Sequence, residues 1–161
     1  MAVNWHMHRL RVRYQETDQM SVVYHANYAN WFEIGRTEYI RDAGVPYRAF
    51  EDKGLLLPVT ELVIKFEKPA LYDDLVLICT RVAEMSPLRV AFESQVRRVL
   101  PEEAGGAETE ATTTAGDPPG ELLVRGATKH VWVNRDWKPH RLDRAAPELY
   151  ERLQSLYNSS K

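Results

Sequence analysis

The stretch from Tyr28 to Ile40 constrains the fold of this chain most strongly, because its bulky residues recur at steps of three and four. That spacing is typical of one buried face of an α-helix. Gly44 and Pro46 follow, and such a pair ends a helix and prevents its return. Gly35 lies inside the stretch, where glycine costs about 1 kcal/mol relative to alanine, so we expect another backbone, most simply a sheet, to pack against it. The predicted buried face comprises Tyr28, Trp31, Phe32, Tyr39 and Ile40.

Four titratable residues lie just before this helix, namely Tyr14, Glu16, Asp18 and His25. An ordinary helix start needs one capping side chain, and the amide end of a helix favours anions. We therefore interpret this junction as the place where chemistry occurs. Taken singly, Asp18 is more typical of a cap or turn residue, and His25 fits equally well as a structural histidine at a helix start.

Length and composition indicate a single domain spanning residues 1–161. Hydrophobic residues make up 44% of the chain and charged residues 27%, and no apolar run approaches the roughly 20 residues of a membrane span. The N-terminus lacks a secretory apolar region, so we expect a cytoplasmic protein. The net charge is −2, and the chain outside segment 101–120 is too weakly basic to argue for nucleic acid as a partner. The segment 101–120 is acidic and without Lys or Arg, which leaves a mildly basic body that could hold a phosphorylated ligand.

Alternating apolar residues predict strands at 6–14, 59–67 and 89–99. Two further strands are predicted from apolar residues on both faces: 75–83, a central strand covered on both sides, and 121–134. The first alternation places the Tyr14 ring on the apolar face of its strand. Segment 101–120 has no large apolar residue and is predicted to be a flexible inserted hairpin loop. Residues 147–157 predict a short amphipathic C-terminal helix. The result is an α+β domain in which a curved antiparallel five-stranded sheet wraps around one long central helix.

Three further features are predicted from the strands. Cys79 is the single cysteine and lies in an apolar strand, so we expect it to be buried and inert. His6 and His8 share a strand face, but no third ligand follows at a recognisable spacing, and no metal site is predicted. Strand 121–134 has bulky residues on both faces, which would be awkward at an exposed edge and favours a homo-oligomer.

Several motifs of this sequence occur together in one protein family. They read YQETD at 14–18, VVYHANY at 22–28, WFE at 31–33, RTE at 36–38, PALYDD at 69–74 and GATKH at 126–130. On these motifs the chain resembles the acyl-CoA thioesterases of the hotdog superfamily, in the branch named for 4-hydroxybenzoyl-CoA thioesterase. It departs from that pattern at Ser21, where the family commonly has glycine, and in the 101–120 insertion.

The resemblance implies a hotdog fold whose subunits pair edge to edge, with active sites at their interface, and whose dimers often form a homotetramer. It implies hydrolysis of acyl-CoA to a free acid and CoA, with Asp18 as the catalytic carboxylate. It also implies that backbone amides near Tyr24 and His25 form the oxyanion hole, and that the CoA arm lies along the subunit surface. No cofactor is expected, since CoA is part of the substrate.

The chemistry leaves alternatives open for each side chain. Asp18 could activate water as a general base or attack the carbonyl itself through a mixed anhydride. His25 could polarise the carbonyl, orient the water or protonate the departing thiolate, and Tyr14 could hydrogen-bond to either side chain. Glu16 is predicted to be a solvated turn residue, and Arg36 to form an ion pair with Glu33 or a neighbouring acid.

Substrate binding is less constrained by the sequence. Arg89 and Lys129, on the two long strands, are candidates for the CoA phosphates. Acyl carrier protein is an alternative to CoA as the acyl carrier. Two other function classes remain: a hotdog dehydratase, whose His–Glu pair should lie on the long helix, and a non-catalytic acyl-CoA-binding or scaffold protein. Thiol release from a panel of acyl-CoA esters would distinguish the three.

Overall fold

A computed structural model describes residues 4–103 and 112–161 of the chain. The strands are β1 (Asn4–Arg11), β2 (Val59–Phe66), β3 (Leu75–Met85), β4 (Arg89–Arg98), β5 (Thr112–Ala115) and β6 (Glu121–Val131). The helices are α1 (Asn27–Asp42), α2 (Tyr47–Asp52), α3 (Leu142–Ala145) and α4 (Pro147–Ser159), with a single 3₁₀ turn at Tyr14–Glu16.

One antiparallel sheet of six strands, in the order β2-β6-β4-β3-β1-β5, packs against α1. This confirms the predicted α+β architecture with a central helix, and the sheet has one strand more than predicted. The additional strand is β5, which pairs with residues Asn4–Met7 of β1. The prediction of a flexible loop over 101–120 is therefore wrong for 112–115, while its residues 104–111 lie outside the described part of the chain.

Helix α1 has the predicted buried face, since Tyr28, Trp31, Phe32, Tyr39 and Ile40 are all buried. A Cβ atom at Gly35 would lie 2.6 Å from Thr80 Oγ1 and 2.7 Å from Ile78 Cγ2, both side-chain atoms of β3. The sheet does approach Gly35 closely, through side chains rather than through its backbone. The helix ends at Asp42, and Gly44 follows with a φ of 86°, as its sequence position predicts.

Strand β3 is covered on both faces, as its apolar sequence predicts. Val76 and Ile78 point to α1 and pack with Trp31 and Phe32. Its other face, with Leu77 and Cys79, joins a smaller apolar cluster that also contains Trp5, Met7, Leu75 and Val99. Burial raises the pKa of the Cys79 thiol to about 12, so the cysteine stays protonated in the folded protein.

The two edge strands of the sheet are β2 and β5, and neither is the strand that the sequence indicated. β6 lies between β2 and β4, so its backbone is paired on both sides and it is not an edge. The prediction that 121–134 would be an awkward edge is wrong for that reason. Four apolar side chains of β2, Val59, Leu62, Val63 and Phe66, are instead 49%, 45%, 41% and 55% exposed.

The C-terminal helix α4 confirms the predicted 147–157 helix and extends to Ser159. Leu149 and Leu153 bury its apolar face, and the Arg152 Nη1 donates a hydrogen bond to the Ala43 carbonyl at 3.0 Å. α4 therefore covers the C-terminal end of α1, away from the junction that precedes the helix. No helix within the described ranges is both long enough and apolar enough to cross a membrane.

Candidate active site

The chain between β1 and α1 folds into two consecutive turns. β1 ends at Arg11, earlier than the predicted strand 6–14. The Glu16 N–H donates to the Arg13 carbonyl at 3.0 Å, and the Arg13 N–H donates to Glu16 Oε1 at 2.8 Å. These two bonds close the chain into the 3₁₀ turn, so residues 12–14 do not continue the strand.

Asp18 organises the second turn with its backbone and with one carboxylate oxygen. Its N–H donates to the Val22 carbonyl at 2.9 Å, and its Oδ1 accepts the Met20 N–H at 2.8 Å. Its Oδ2 accepts no hydrogen bond within the described ranges. Asp18 is thus not a helix cap, because α1 begins only at Asn27. Oδ1 is held by the turn, and Oδ2 has no protein partner among the described residues.

Ser21 lies in the same turn with a φ of 63°, in the left-handed region that favours glycine. This conformation gives a physical reason why glycine suits the position. The turn is also attached to the segment after β2, because the Val23 N–H donates to the Ala70 carbonyl at 2.9 Å.

The two predicted oxyanion-hole amides differ in availability. The Tyr24 N–H donates to the Glu16 carbonyl at 2.9 Å, so it cannot also face a substrate in this conformation. That part of the prediction is corrected. The His25 N–H makes no hydrogen bond within the described part of the chain, and His25 is exposed just before α1. The His25 ring stacks on the Tyr24 ring, with 4.5 Å between their centroids.

Tyr14 is not where the sequence places it. Because the chain leaves the strand before this residue, the side chain is 78% exposed and packs edge-on against the Tyr72 ring at 5.6 Å. Its hydroxyl bonds to neither Asp18 nor His25 among the described residues. The structure therefore does not bring the Tyr14 hydroxyl to either of the other two predicted residues.

Glu16 is a buried residue of the junction whose environment the sequence reasoning missed. It was predicted to be solvated, yet it is only 7% exposed, and its Oε2 accepts the Trp31 Nε1–H at 2.7 Å. A buried tryptophan needs an acceptor for its N–H, which is the physical reason for this contact. The one available signal was the buried position of Trp31 on α1, but a partner fifteen residues away follows no local spacing rule.

Arg36 also departs from its predicted role. It is buried, no acid lies within ion-pair distance among the described residues, and its Nη1 lies 3.5 Å from Thr128 Oγ1. Burial lowers the pKa of Arg36, and the charges of Tyr47 and Glu33 act in the opposite direction. Burial, and then the nearby Arg36 charge, lower the pKa of His130 to about 4. Arg36, Thr128 and His130 thus form a buried polar cluster in which the His130 ring is neutral near pH 7.

Arg89 and Lys129, the two candidates for the CoA phosphates, line the same cleft of about 470 Å³ beside β2, β4 and β6. The structure brings these two side chains together, as both are exposed on neighbouring strands. Lys129 Nζ lies 3.4 Å from Glu61 Oε2, whereas Arg89 makes no ion pair within the described ranges. Asp18 and His25 do not line this cleft.

Metal ligands are not gathered anywhere in the described chain. Among residues 4–103 and 112–161, no three His, Cys, Asp or Glu side chains are placed to hold an ion. His6 is instead buried against α1, where its Nε2 lies 2.7 Å from Asp42 Oδ2.

Comparison with known proteins gives concordant results over almost the whole chain. The model of the thioesterase-like superfamily matches residues 12–153. YneP of Bacillus subtilis, a candidate acyl-CoA thioesterase, is 31% identical over 142 residues, which are 88% of this chain and 89% of that protein. The crystal structure of DHNA-CoA thioesterase from Staphylococcus aureus has a TM-score of 0.77 and 33% identity, covering 98% of this chain and 95% of its own.

A more distant structure shares the fold alone. A mutant of 4-hydroxybenzoyl-CoA thioesterase in complex with 4-hydroxybenzoyl-CoA has a TM-score of 0.68 at 18% identity. The match covers 91% of this chain and 96% of that one. The six-stranded sheet and α1 therefore have the hotdog arrangement.

Proposed function

The chain belongs to the thioesterase-like superfamily, and we propose that it is an acyl-CoA thioesterase, which hydrolyses an acyl-CoA thioester to a carboxylic acid and free CoA. One observation supports placing the reaction at the junction before α1. A half-buried carboxylate with one free oxygen, Asp18 Oδ2, and a free backbone donor, the His25 N–H, belong to the same pair of turns.

These two groups supply what thioester hydrolysis requires. The His25 N–H, near the positive end of the α1 dipole, stabilises the oxygen on which negative charge develops. Asp18 Oδ2 either takes a proton from the attacking water or attacks the carbonyl to form a mixed anhydride that water then hydrolyses. In both routes the carbon–sulfur bond breaks, and the CoA thiolate leaves and takes up a proton.

The His25 side chain has a second, lesser role in this proposal. Its ring is exposed to solvent, and stacking on the Tyr24 ring fixes its orientation. From there it can orient the water or protonate the departing thiolate. Because the oxyanion donor is the backbone of His25, removal of the ring should leave that donor in place.

The CoA phosphates are proposed to bind in the cleft that Arg89 and Lys129 line. Arg89 supports this because its guanidinium has no acid partner among the described residues, whereas Lys129 is partly neutralised by Glu61. Arg89→Ala should therefore raise the KM for acyl-CoA by about tenfold, the effect of losing one charged contact. An acyl-N-acetylcysteamine thioester, which lacks the phosphates, is the matched control and should be hydrolysed equally by both proteins.

We propose a homodimer formed through the β2 edges, with a homotetramer as its further assembly. β2 supports this because it is an edge strand of eight residues that leaves its backbone unpaired on one side and exposes apolar side chains, whereas the opposite edge strand, β5, has only four residues. Pairing of one β2 edge with the same edge of a second copy is isologous, so it closes as a two-fold dimer and does not extend into an open chain of subunits. Light scattering should show a dimer or tetramer. A strictly monomeric and fully active protein would contradict this assembly.

We also propose that the enzyme is cytoplasmic. In this proposal it uses no cofactor, because Asp18, a backbone donor and water account for every bond made and broken. Activity should survive dialysis against EDTA.

The experiment that tests the function is release of thiol from acetyl-, palmitoyl- and aromatic CoA esters, compared with the acyl carrier protein thioester of the best substrate. Absence of release from every ester would refute the proposal and favour an acyl-CoA-binding protein.

A further inference from the structure

Glu16 holds an unusual position for an acidic residue. Among the described residues it is the only buried carboxylate. Its Oε2 accepts the Trp31 Nε1–H at 2.7 Å and its Oε1 accepts the Arg13 N–H at 2.8 Å. Charged acceptors of this kind form roughly twofold stronger hydrogen bonds than neutral ones, so both donors are firmly held.

The backbone of Glu16 is equally engaged. Its carbonyl accepts the Tyr24 N–H at 2.9 Å and the Asn27 Nδ2–H at 2.8 Å. The side chain and the backbone of Glu16 together therefore bond to Arg13, which follows β1, to Tyr24, which precedes His25, and to the first two turns of α1.

These attachments are close in sequence to the two groups of the proposed site. Asp18 follows Glu16 by two residues, and His25 follows Tyr24 by one. Building on the proposed function, we propose that Glu16 is a positioning residue: anchored on Trp31, it sets the Asp18 carboxylate against the His25 N–H. Glu16 does not touch the substrate, and it acts through the turn.

The carboxylate is needed because two donors converge on it. In Glu16→Gln the side chain keeps its shape but has a single acceptor oxygen, so its NH₂ must face either the Trp31 Nε1–H or the Arg13 N–H. Two donors cannot share that contact, and the turn must shift to separate them. A displacement of about 1 Å at a catalytic group can cost on the order of 10²-fold in rate.

The test measures kcat, KM and the pH dependence of kcat for Glu16→Gln, Trp31→Phe and the double variant. We expect Glu16→Gln to lower kcat by about 10- to 100-fold with KM within about twofold, and to move the acid limb of the pH profile. The double variant should recover part of the lost kcat, because the phenyl ring no longer presents an N–H donor to the amide group that Glu16→Gln introduces.

Tyr39→Phe is the matched control. It removes one buried hydrogen bond, between the Tyr39 hydroxyl and Ser160 Oγ at 3.3 Å, at the other end of α1. It should lower the melting temperature while leaving kcat within about twofold of wild type, since the turn is untouched. If Tyr39→Phe lowers kcat as much as Glu16→Gln does, the effect is one of stability and the positioning role is refuted.

The remaining outcomes are also decisive. A wild-type kcat in Glu16→Gln refutes the role. The role is also refuted if the fold-loss of kcat in the double variant exceeds the product of the two single fold-losses. If Glu16→Gln does not fold, Trp31→Phe decides alone, and an unchanged kcat and acid limb in that variant overturn the inference. Asp18→Asn separates the two proposals: if it is inactive while Glu16→Gln is fully active, the thioesterase assignment stands and only the positioning role fails.

Discussion

Gly126→Ala tests how closely α1 and β2 pack on the centre of β6. A Cβ atom at Gly126 would lie 2.8 Å from Phe32 Cε2 and would also collide with the Val63 carbonyl oxygen, which belongs to the β2 backbone. Phe32 is fully buried and β2 is held by its ladder with β6, so neither neighbour can move freely.

The expected cost follows from two opposing terms. Adding a methyl group to a packed core costs about 1 to 3 kcal/mol, and replacing glycine recovers about 0.4 to 1 kcal/mol through the unfolded chain. With a backbone oxygen and a core ring both in the way, we expect the upper part of the difference between these terms, a net loss of about 1 to 2.5 kcal/mol. For a chain of this length that is a decrease of roughly 3 to 10 °C in melting temperature.

Thermal unfolding followed by circular dichroism measures this loss directly. The matched control is Phe32→Leu, alone and combined with Gly126→Ala. Since leucine removes the ring atoms that the new methyl group would meet, the combined cost should be smaller than the sum of the single costs. A Gly126→Ala protein as stable as wild type, or strictly additive costs, would refute the packing argument.

Three further predictions concern the turn, the pH dependence and the sheet edge. Ser21→Gly should be neutral or stabilising by up to about 1 kcal/mol in urea unfolding, and Ser21→Val destabilising by about 1 to 2 kcal/mol, because the φ of 63° strains a branched side chain most. The pKa of His130 is about 4 in the folded protein, against an ordinary 6.5, so between these pH values the unfolded chain binds a proton that the folded chain does not. The free energy of unfolding should therefore fall by up to about 3 kcal/mol as the pH drops from 6.5 to 4. The fall should be smaller in His130→Asn. Deleting 112–115 uncovers the Asn4–Met7 edge of β1, and should cause association that rises with concentration in light scattering while kcat is unchanged.

The sequence was a good guide wherever a single period decided the structure. The three- and four-residue spacing from Tyr28 to Ile40 located α1 to within two residues at each end, and the apolar run of 75–83 identified the strand covered on both faces. The motifs around Asp18 and His25 also identified the family. These features depend on local spacing, which a sequence displays directly.

The misplaced residues depend on contacts between distant parts of the chain. Apolar residues on both faces of 121–134 are equally compatible with an edge at a subunit contact and with an interior strand, and only the pairing of β6 with β2 and β4 distinguishes them. The four threonine-rich residues of β5 have too little apolar character to predict a strand, and β1 supplies their partner.

The junction shows the same limit at the scale of single side chains. Alternation placed Tyr14 on a strand face, but the bonds between Arg13 and Glu16 turn the chain before it. Glu16 looked like a surface acid because its partner Trp31 is on another element. The engagement of the Tyr24 N–H likewise depends on the Glu16 carbonyl, a contact that no sequence pattern reveals.

The measurement that tests the central claim most directly is kcat for acyl-CoA hydrolysis by Asp18→Asn, with its melting temperature. Asparagine keeps Oδ1 as the acceptor for the Met20 N–H, so the turn should survive, but it places an NH₂ group where Oδ2 stood. We predict an unchanged fold and a kcat lower by roughly 10² to 10⁴, with a smaller loss in His25→Ala because its backbone donor remains. Wild-type turnover in Asp18→Asn would remove Asp18 from the mechanism, and a greater loss in His25→Ala would make the histidine ring the principal catalyst.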